Sequence, residues 1–345
     1  MVTQEGHTGP GRILPLPGTD TGTATRSLRT SRSAVVWQRY RRRPLGVMGL
    51  IVLSLILLGV LLVPVVSPFD IEHIDVDNGL ILEFAPFGKL SPTGHAHWLG
   101  NDREGRDLAV QLSSAGRITL TIAFLATFFT MLIGVAVGLL AGFYGGWVDI
   151  MLMRLADFLL AIPAIPLYVI VNSVLLASGA VQLIINITNN DPVLNTMITI
   201  VVVFILISWA GVARQVRIAV LKMRSLSYVE ATQALGASNS RIIFSHLLPN
   251  AAATILTAGT LMLAEIIIFE SSLSYLNQGV GKLSPSWGFM LHDATTTLFT
   301  VRTINPFEDT RAYTVILPTL LIFLTVLSIN FIGDTLRRAL DPKAD

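Results

Sequence analysis

Residues 228–250 read YVEATQALGASNSRIIFSHLLPN, Tyr228 to Asn250, a polar stretch set between two long apolar runs. Ser227 and Glu230 have capping-box spacing, with Ser227 as N-cap and Glu230 at the third helical position. Gly236 stands where a left-handed residue stops a helix, and Ser238 is placed to cap a second short helix that ends before Pro249. The expected object is a capped helix–turn–helix protruding from a membrane, with Val229, Ala231, Ala234 and Leu235 as the apolar residues of its first helix. It has the form of something built to be gripped.

The chain around it is 52% hydrophobic and 13% charged, with a mean hydropathy of +0.66. Those values lie outside the range of a soluble domain. Six apolar runs, at about 45–66, 118–142, 150–178, 194–213, 251–277 and 313–333, are each long enough to cross a bilayer, which takes roughly 18 residues or more. They are continuous rather than alternating, so they read as helices and not barrel strands. The expected fold is an all-α integral membrane protein of six transmembrane helices. Pro163 and Pro166 fall inside the third run and are expected to kink it.

Charge sets the orientation. Of the 24 Lys and Arg, 17 precede the first run, flank residues 214–250, follow the last run or sit at Arg154, and 7 lie on the other side. The positive-inside rule therefore puts both termini and the 214–250 segment in the cytoplasm. The basic residues flank spans and make no aromatic-interleaved stripe, so nucleic-acid binding is not expected. With no cysteine in the chain, thiolate metal sites and disulfides are excluded.

Five regions follow. Residues 1–44 form a basic cytoplasmic tail whose first 33 positions hold 18 Gly, Pro, Ser or Thr, a composition expected to be disordered. Residues 45–66 are the first span and 67–117 the largest extracytoplasmic segment. A core of five further spans occupies 118–335, and 336–345 is a cytoplasmic end. Within the external segment, Asn101 and Glu104 again show capping-box spacing and suggest a short helix before the second span. Asp102 and Arg106 are set for an i,i+4 pair, and Asp107 ends the same box. His95, His97, Asp102, Glu104 and Asp107 fit no recognised metal-ligand spacing. The segments at 179–192 and 280–312 read as external loops.

No phosphate loop of the form GxxxxGK[ST], no HExxH and no GxSxG is present, so no catalytic residue is expected. Three acids fall within spans: Asp157, Glu265 and Glu270. A carboxylate there is costly and faces a cavity or a partner, or makes an interhelical bond. All three are candidates for a translocation pathway.

From about Trp98 to Pro342 the chain resembles the second permease subunit of the dipeptide/oligopeptide/nickel class of ABC importers. HWLGNDREGRD (97–107) is similar to that family's external LGTDxxGRD box. GLLAGFYGGWVDIMLMRLADFLLAIP (138–163) resembles its turn between second and third spans. Residues 228–250 resemble its EAA loop, and LPTLLIFLTVLSINFIGDTLRRALDP (317–342) its last span. FESSLSYL around Glu270 is similar to the family's AEASLSFLG, whereas Glu265 departs from that pattern. Thr232 replaces the second Ala of the EAA triplet.

The resemblance implies a type I importer permease, half of a heterodimeric pathway in a bacterial-type cytoplasmic membrane, moving di- or oligopeptides. It implies a homologous sister permease, an extracytoplasmic substrate-binding protein, membrane lipids around the spans, and two ATPase subunits that carry the ATP and Mg. This chain itself would hold no cofactor and hydrolyse nothing. Glu230, Ala231, Gly236, Leu248 and Pro249 would then couple the ATPases to the spans. Nickel chelates, glutathione and oligosaccharides are alternative cargoes, and an ion-coupled secondary transporter is the alternative class.

Overall fold

A computed structural model describes residues 32–77, 80–81, 91, 94–178, 186, 188–189, 191–281, 285–300 and 311–340, and they are built almost wholly of helix. The tail over 1–31, most of the 179–192 loop and the last five residues lie outside the described residues. An amphipathic helix α1 (Arg32–Arg41) leads into α2 (Pro44–Val66), with Pro44 in the first turn where no N–H is needed. A two-residue hairpin, β1 (Val76–Asp77) with β2 (Leu80–Ile81), follows. The core is α3 (Leu108–Tyr144), α4 (Gly146–Ala161), α5 (Ala164–Ala177) and α6 (Pro192–Arg224). Then come α7 (Ser227–Ala234), α8 (Asn239–Ile242), α9 (Leu248–Tyr275), α10 (Trp287–Thr300) and α11 (Arg311–Leu340). The 280–312 region therefore contains a helix.

Among the described residues, five helices are long and apolar enough to span a membrane, and α4 with α5 makes a sixth span if the bent pair is counted as one. That pair is the main departure from expectation. The third run is broken, not merely kinked: its halves meet at 102°. Pro163 and Pro166 each remove a backbone donor and clash with the preceding turn, so two prolines three residues apart end one helix and start another.

The second span also begins earlier than expected, at Leu108. Its N-cap is Asp107, whose carboxylate accepts from the Val110 N–H at 2.9 Å, and no capping box forms at Asn101 and Glu104. Asp102 instead organises a turn there, accepting from the Glu104 and Arg106 N–H groups at 2.8 and 2.9 Å. One acid can do this because a carboxylate has several acceptor positions.

The largest helix–helix contact is α3 against α6. Gly134, Gly138 and Gly142, four residues apart, face Val212, Val216 and Val220 so closely that a Cβ on Gly138 would sit 2.6 Å from the Ala213 carbonyl oxygen. Lipid offers no hydrophobic drive between helices, so such a small-residue stripe gains its attraction from backbone approach and van der Waals contact. A lost backbone hydrogen bond is replaced at α2. Pro64 cannot donate to the Val60 carbonyl one turn back, and Arg117 of α3 supplies that hydrogen bond through Nε at 3.1 Å. Near the start of α3, Trp287 is fully buried and donates from Nε1 to the Leu112 carbonyl at 2.8 Å.

Candidate functional site

The protruding loop is built from α7 and α8. Its N-cap is Leu226, with no side-chain cap, which corrects the expected Ser227–Glu230 capping box. Ser227 lies inside the first turn, and Glu230 points outward, exposed. The stop at Gly236 forms as expected. Its φ is +81°, its N–H donates to the Gln233 carbonyl at 2.9 Å, and the Ala237 N–H donates to Thr232 at 3.3 Å. This pair of bonds is a Schellman closure, which requires the left-handed conformation that glycine adopts without a Cβ penalty. Ser238 caps α8 through a bond from the Arg241 N–H at 3.4 Å.

The two helices present different faces. Val229 is 1% exposed and packs into the core cluster with Ile242, Ile243 and Leu247. Ala231 and Ala234 are exposed, and Leu235 is 89% exposed. Val229 thus roots the loop, and its exposed surface includes Glu230, Ala231, Ala234 and Leu235.

The second helix does not end before Pro249. It runs on into α9 through a wider π turn at Ile243–Leu247, where the Leu248 N–H donates to the Ile243 carbonyl five residues back. A proline ring clashes with the carbonyl four residues before it, and inserting one residue into the turn relieves that clash. Pro249 therefore shapes a continuous rod from the loop into a span. Leu248 packs against the core. Asn250 fastens the rod to α7, donating to the Tyr228 hydroxyl at 3.2 Å and to the His246 carbonyl at 2.8 Å.

The intramembrane acids separate. Asp157 on α4 pairs with Arg214 on α6, both about half exposed. Asp149 on α4 pairs likewise with Arg217. Glu270 is 1% exposed. It accepts from the Ser274 hydroxyl at 2.8 Å, while its Oε2 has no hydrogen-bond partner among the described residues. Glu265, one turn away on α9, is exposed and lines a cavity of about 400 Å³ at the α4–α5 break, together with Tyr168, Ser208 and Gln215.

The external box folds into a buried knot. Asp102 and Arg106 pair at 2.9 Å as expected, and Arg106 also reaches Glu104 at 2.9 Å. Burial pushes the Asp102 carboxyl up, against the pull of Arg106. Residue reading missed the centre of this knot. His97, 1% exposed, has Nδ1 at 2.8 Å from Asp107 and Nε2 on Asp75, and Phe69 stacks on its ring at 4.1 Å. Asp75 also accepts from Ser91 at 2.6 Å. Burial pushes the Asp75 carboxyl up, but bonds from Ser91, His97 and His73 outweigh it and hold it below the usual range. Since Asp107 caps α3, the knot ties the external segment to the start of a span. The Asp75–His97 separation of 22 residues left no local signal. The Gly134–Gly138–Gly142 stripe was also missed, although its spacing is readable.

Comparison with known proteins fits this architecture. Residues 134–345 match the family model described as binding-protein-dependent transport system inner membrane component. Residues 31–86 match the N-terminal TM domain of oligopeptide transport permease C. The oligopeptide transport system permease protein OppC of Bacillus subtilis is 34% identical over 91% of this chain and 92% of its own length. The dipeptide transport system permease protein DppC of Alkalihalophilus pseudofirmus is 31% identical over 89% and 88%. The glutathione transport system permease protein GsiD of Pectobacterium atrosepticum is 34% identical over 89% and 90%. A solved structure of inward-facing conformations of the MetNI methionine ABC transporter aligns with 65% of this chain and 94% of its own, at 20% identity and a TM-score of 0.46. With family matches at both ends of a multi-span helical chain, and relatives covering nine-tenths of it, the chain belongs to the binding-protein-dependent transport system inner membrane components.

Proposed function

We propose that this chain is one of two permease subunits of an ATP-driven importer of di- or oligopeptides, and that its α7–α8 loop is the lever on which a separate ATPase pushes. The observation that carries the lever is the continuous rod from Ser238 through the π turn into α9. The same rod that presents the loop carries Glu265 further along its length. A push on Glu230, Ala231 and Leu235 is delivered to the pathway without a flexible joint, because Val229 and Asn250 fasten α7 to the rod. Gly236 makes the turn, and Leu248 and Pro249 set the rod's entry into the membrane. The peptide cargo rests on the names of the relatives, with glutathione, itself a small peptide, within the same range.

In this reading a sister permease completes the pathway, a binding protein delivers cargo from outside, two ATPase subunits hold the ATP and Mg, and both termini are cytoplasmic. The broken α4–α5 span is a feature that ion-coupled carriers also use, so the energy source decides between the classes. The test is peptide uptake by the reconstituted complex. Gly236→Pro or Glu230→Lys is expected to abolish ATP-driven uptake while the binding protein still captures peptide. Uptake unchanged in both variants, or surviving ATP depletion and collapsing with an uncoupler, overturns the reading.

A further inference from the structure

We propose that the cavity at the α4–α5 break is a cation subsite of the transport pathway, in which Glu265 receives an alkylammonium group, the amino terminus of a peptide. This rests on the importer reading for its cargo, and adds to it a residue and a charge preference.

Four observations converge on that chemistry. First, Glu265 sits near the middle of α9 and is exposed on the chain. An ionised carboxylate at that depth is too costly to face lipid, so it faces water, a partner group or cargo. Second, Glu265 forms no ion pair among the described residues. The neighbouring cations on α6 are already committed, Arg214 to Asp157 and Arg217 to Asp149, so neither neutralises it.

Third, the backbone at the break is acceptor-rich. The last turn of α4, including Leu159 and Leu160, lines the cavity, and the final carbonyls of a helix lack intrahelical partners and carry its negative end. The start of α5 opposes them only through its first-turn donors, the Ala164 and Ile165 N–H groups. Pro163 and Pro166 have no N–H, and the Leu167 N–H is spent on the Pro163 carbonyl at 3.2 Å. Fourth, the rings of Tyr168 and Phe269, 5.5 Å apart, both line the cavity, and aromatic faces attract cations. The Tyr168 hydroxyl is held by Ser208, which fixes that wall. The volume of about 400 Å³ lies in the range of small-molecule sites, roughly 300–1,000 Å³. A carboxylate, carbonyl ends and aromatic rings in a walled cleft focus a field that concentrates cations.

The chain contains no cysteine, which permits a direct test in the full reconstituted complex. A Cβ on Gly211, which lines the cavity, meets nothing within 4 Å, so Gly211→Cys is the reporter and Gln215→Cys the second. Each is treated with a trimethylammonium or a sulfonate thiosulfonate reagent, and modification of this chain is read by mass. The cationic reagent is expected to react about tenfold faster or more than the anionic one, relative to their rates with a free thiol. Glu265→Gln should abolish that preference and Glu265→Asp should keep it. Trialanine should protect the reporter, and N-acetyl-trialanine should not. Protection by an N-acetyl peptide containing lysine would move the ammonium source to the side chain and overturn the amino-terminal assignment.

No modification by either reagent, equal rates, or a preference that survives Glu265→Gln overturns the subsite. ATP-driven uptake of trialanine by the unsubstituted complex is measured in parallel. Uptake without charge preference removes the subsite and leaves the importer standing. Charge preference without uptake keeps the subsite and removes the peptide cargo.

Discussion

At the scale of single residues, His97 carries the largest consequence outside the pathway. It lies between Asp75 and Asp107, and all three are nearly inaccessible. His97→Leu fills the space but leaves two buried carboxyl groups without their common hydrogen-bond partner, a loss of about 1–3 kcal/mol for each group left unsatisfied. The expected outcome is faster proteolysis of the 67–107 segment, while the helices retain their far-ultraviolet signal; unchanged cleavage would remove the clamp. The pH dependence follows from Asp75. Its carboxyl is held below the usual range in the folded chain, so its contribution is fully present above the ordinary aspartate value of about 4. That contribution is lost as pH falls through the lower folded value. Protection of the external segment should therefore persist down to about pH 4 and decline below it, and Asp75→Asn should flatten that decline. Gly236 was readable as a helix stop because one residue type tolerates a φ of +81°. His97 was not, because both its partners are supplied by the fold.

At the scale of elements, the α3–α6 contact depends on backbone proximity. Gly138→Val would drive a branched side chain against the Ala213 carbonyl oxygen at 2.6 Å and the Val216 Cβ at 2.7 Å. Overpacking of this kind costs about 1–3 kcal/mol. A lower Tm in detergent is expected, with Gly211→Ala as the neutral control, since a Cβ at Gly211 meets nothing within 4 Å. Equal melting of the two variants would show that the stripe contributes nothing. The elements also show where local rules stopped short. The pair Pro163 and Pro166 announced a disturbance in the third run, but its size of 102° depends on what α6 and α9 leave room for. Pro249 looked like a terminator. It became part of a continuous rod because a π turn, which periodicity does not reveal, absorbed the clash.

At the scale of the whole molecule, the arrangement places the α7–α8 loop and the His97 knot at opposite ends of the spans, and the side each one faces can be checked from outside the cell. Because the chain has no cysteine, Ser240→Cys on the loop and Arg103→Cys on the external turn, both exposed, report sidedness directly. A membrane-impermeant thiol reagent on intact cells should label Arg103→Cys and leave Ser240→Cys unlabelled until the membrane is opened. The reverse pattern would sink the lever. That the chain crosses a membrane several times as helices, and that its charge is asymmetric, was legible from its apolar runs and basic residues, because lipid demands long apolar runs with internally paired backbone and basic residues flank spans unevenly. The polar loop was legible from its glycine stop and its serine cap, both of which act within a few residues. Tertiary structure alone decided which of three intramembrane acids meets a cavity: helix rotation and packing put Asp157 on Arg214, buried Glu270 and left Glu265 open. Periodicity along one helix cannot specify what its neighbours cover, and that is why spans could be read from the sequence while the cavity beside Glu265 could not.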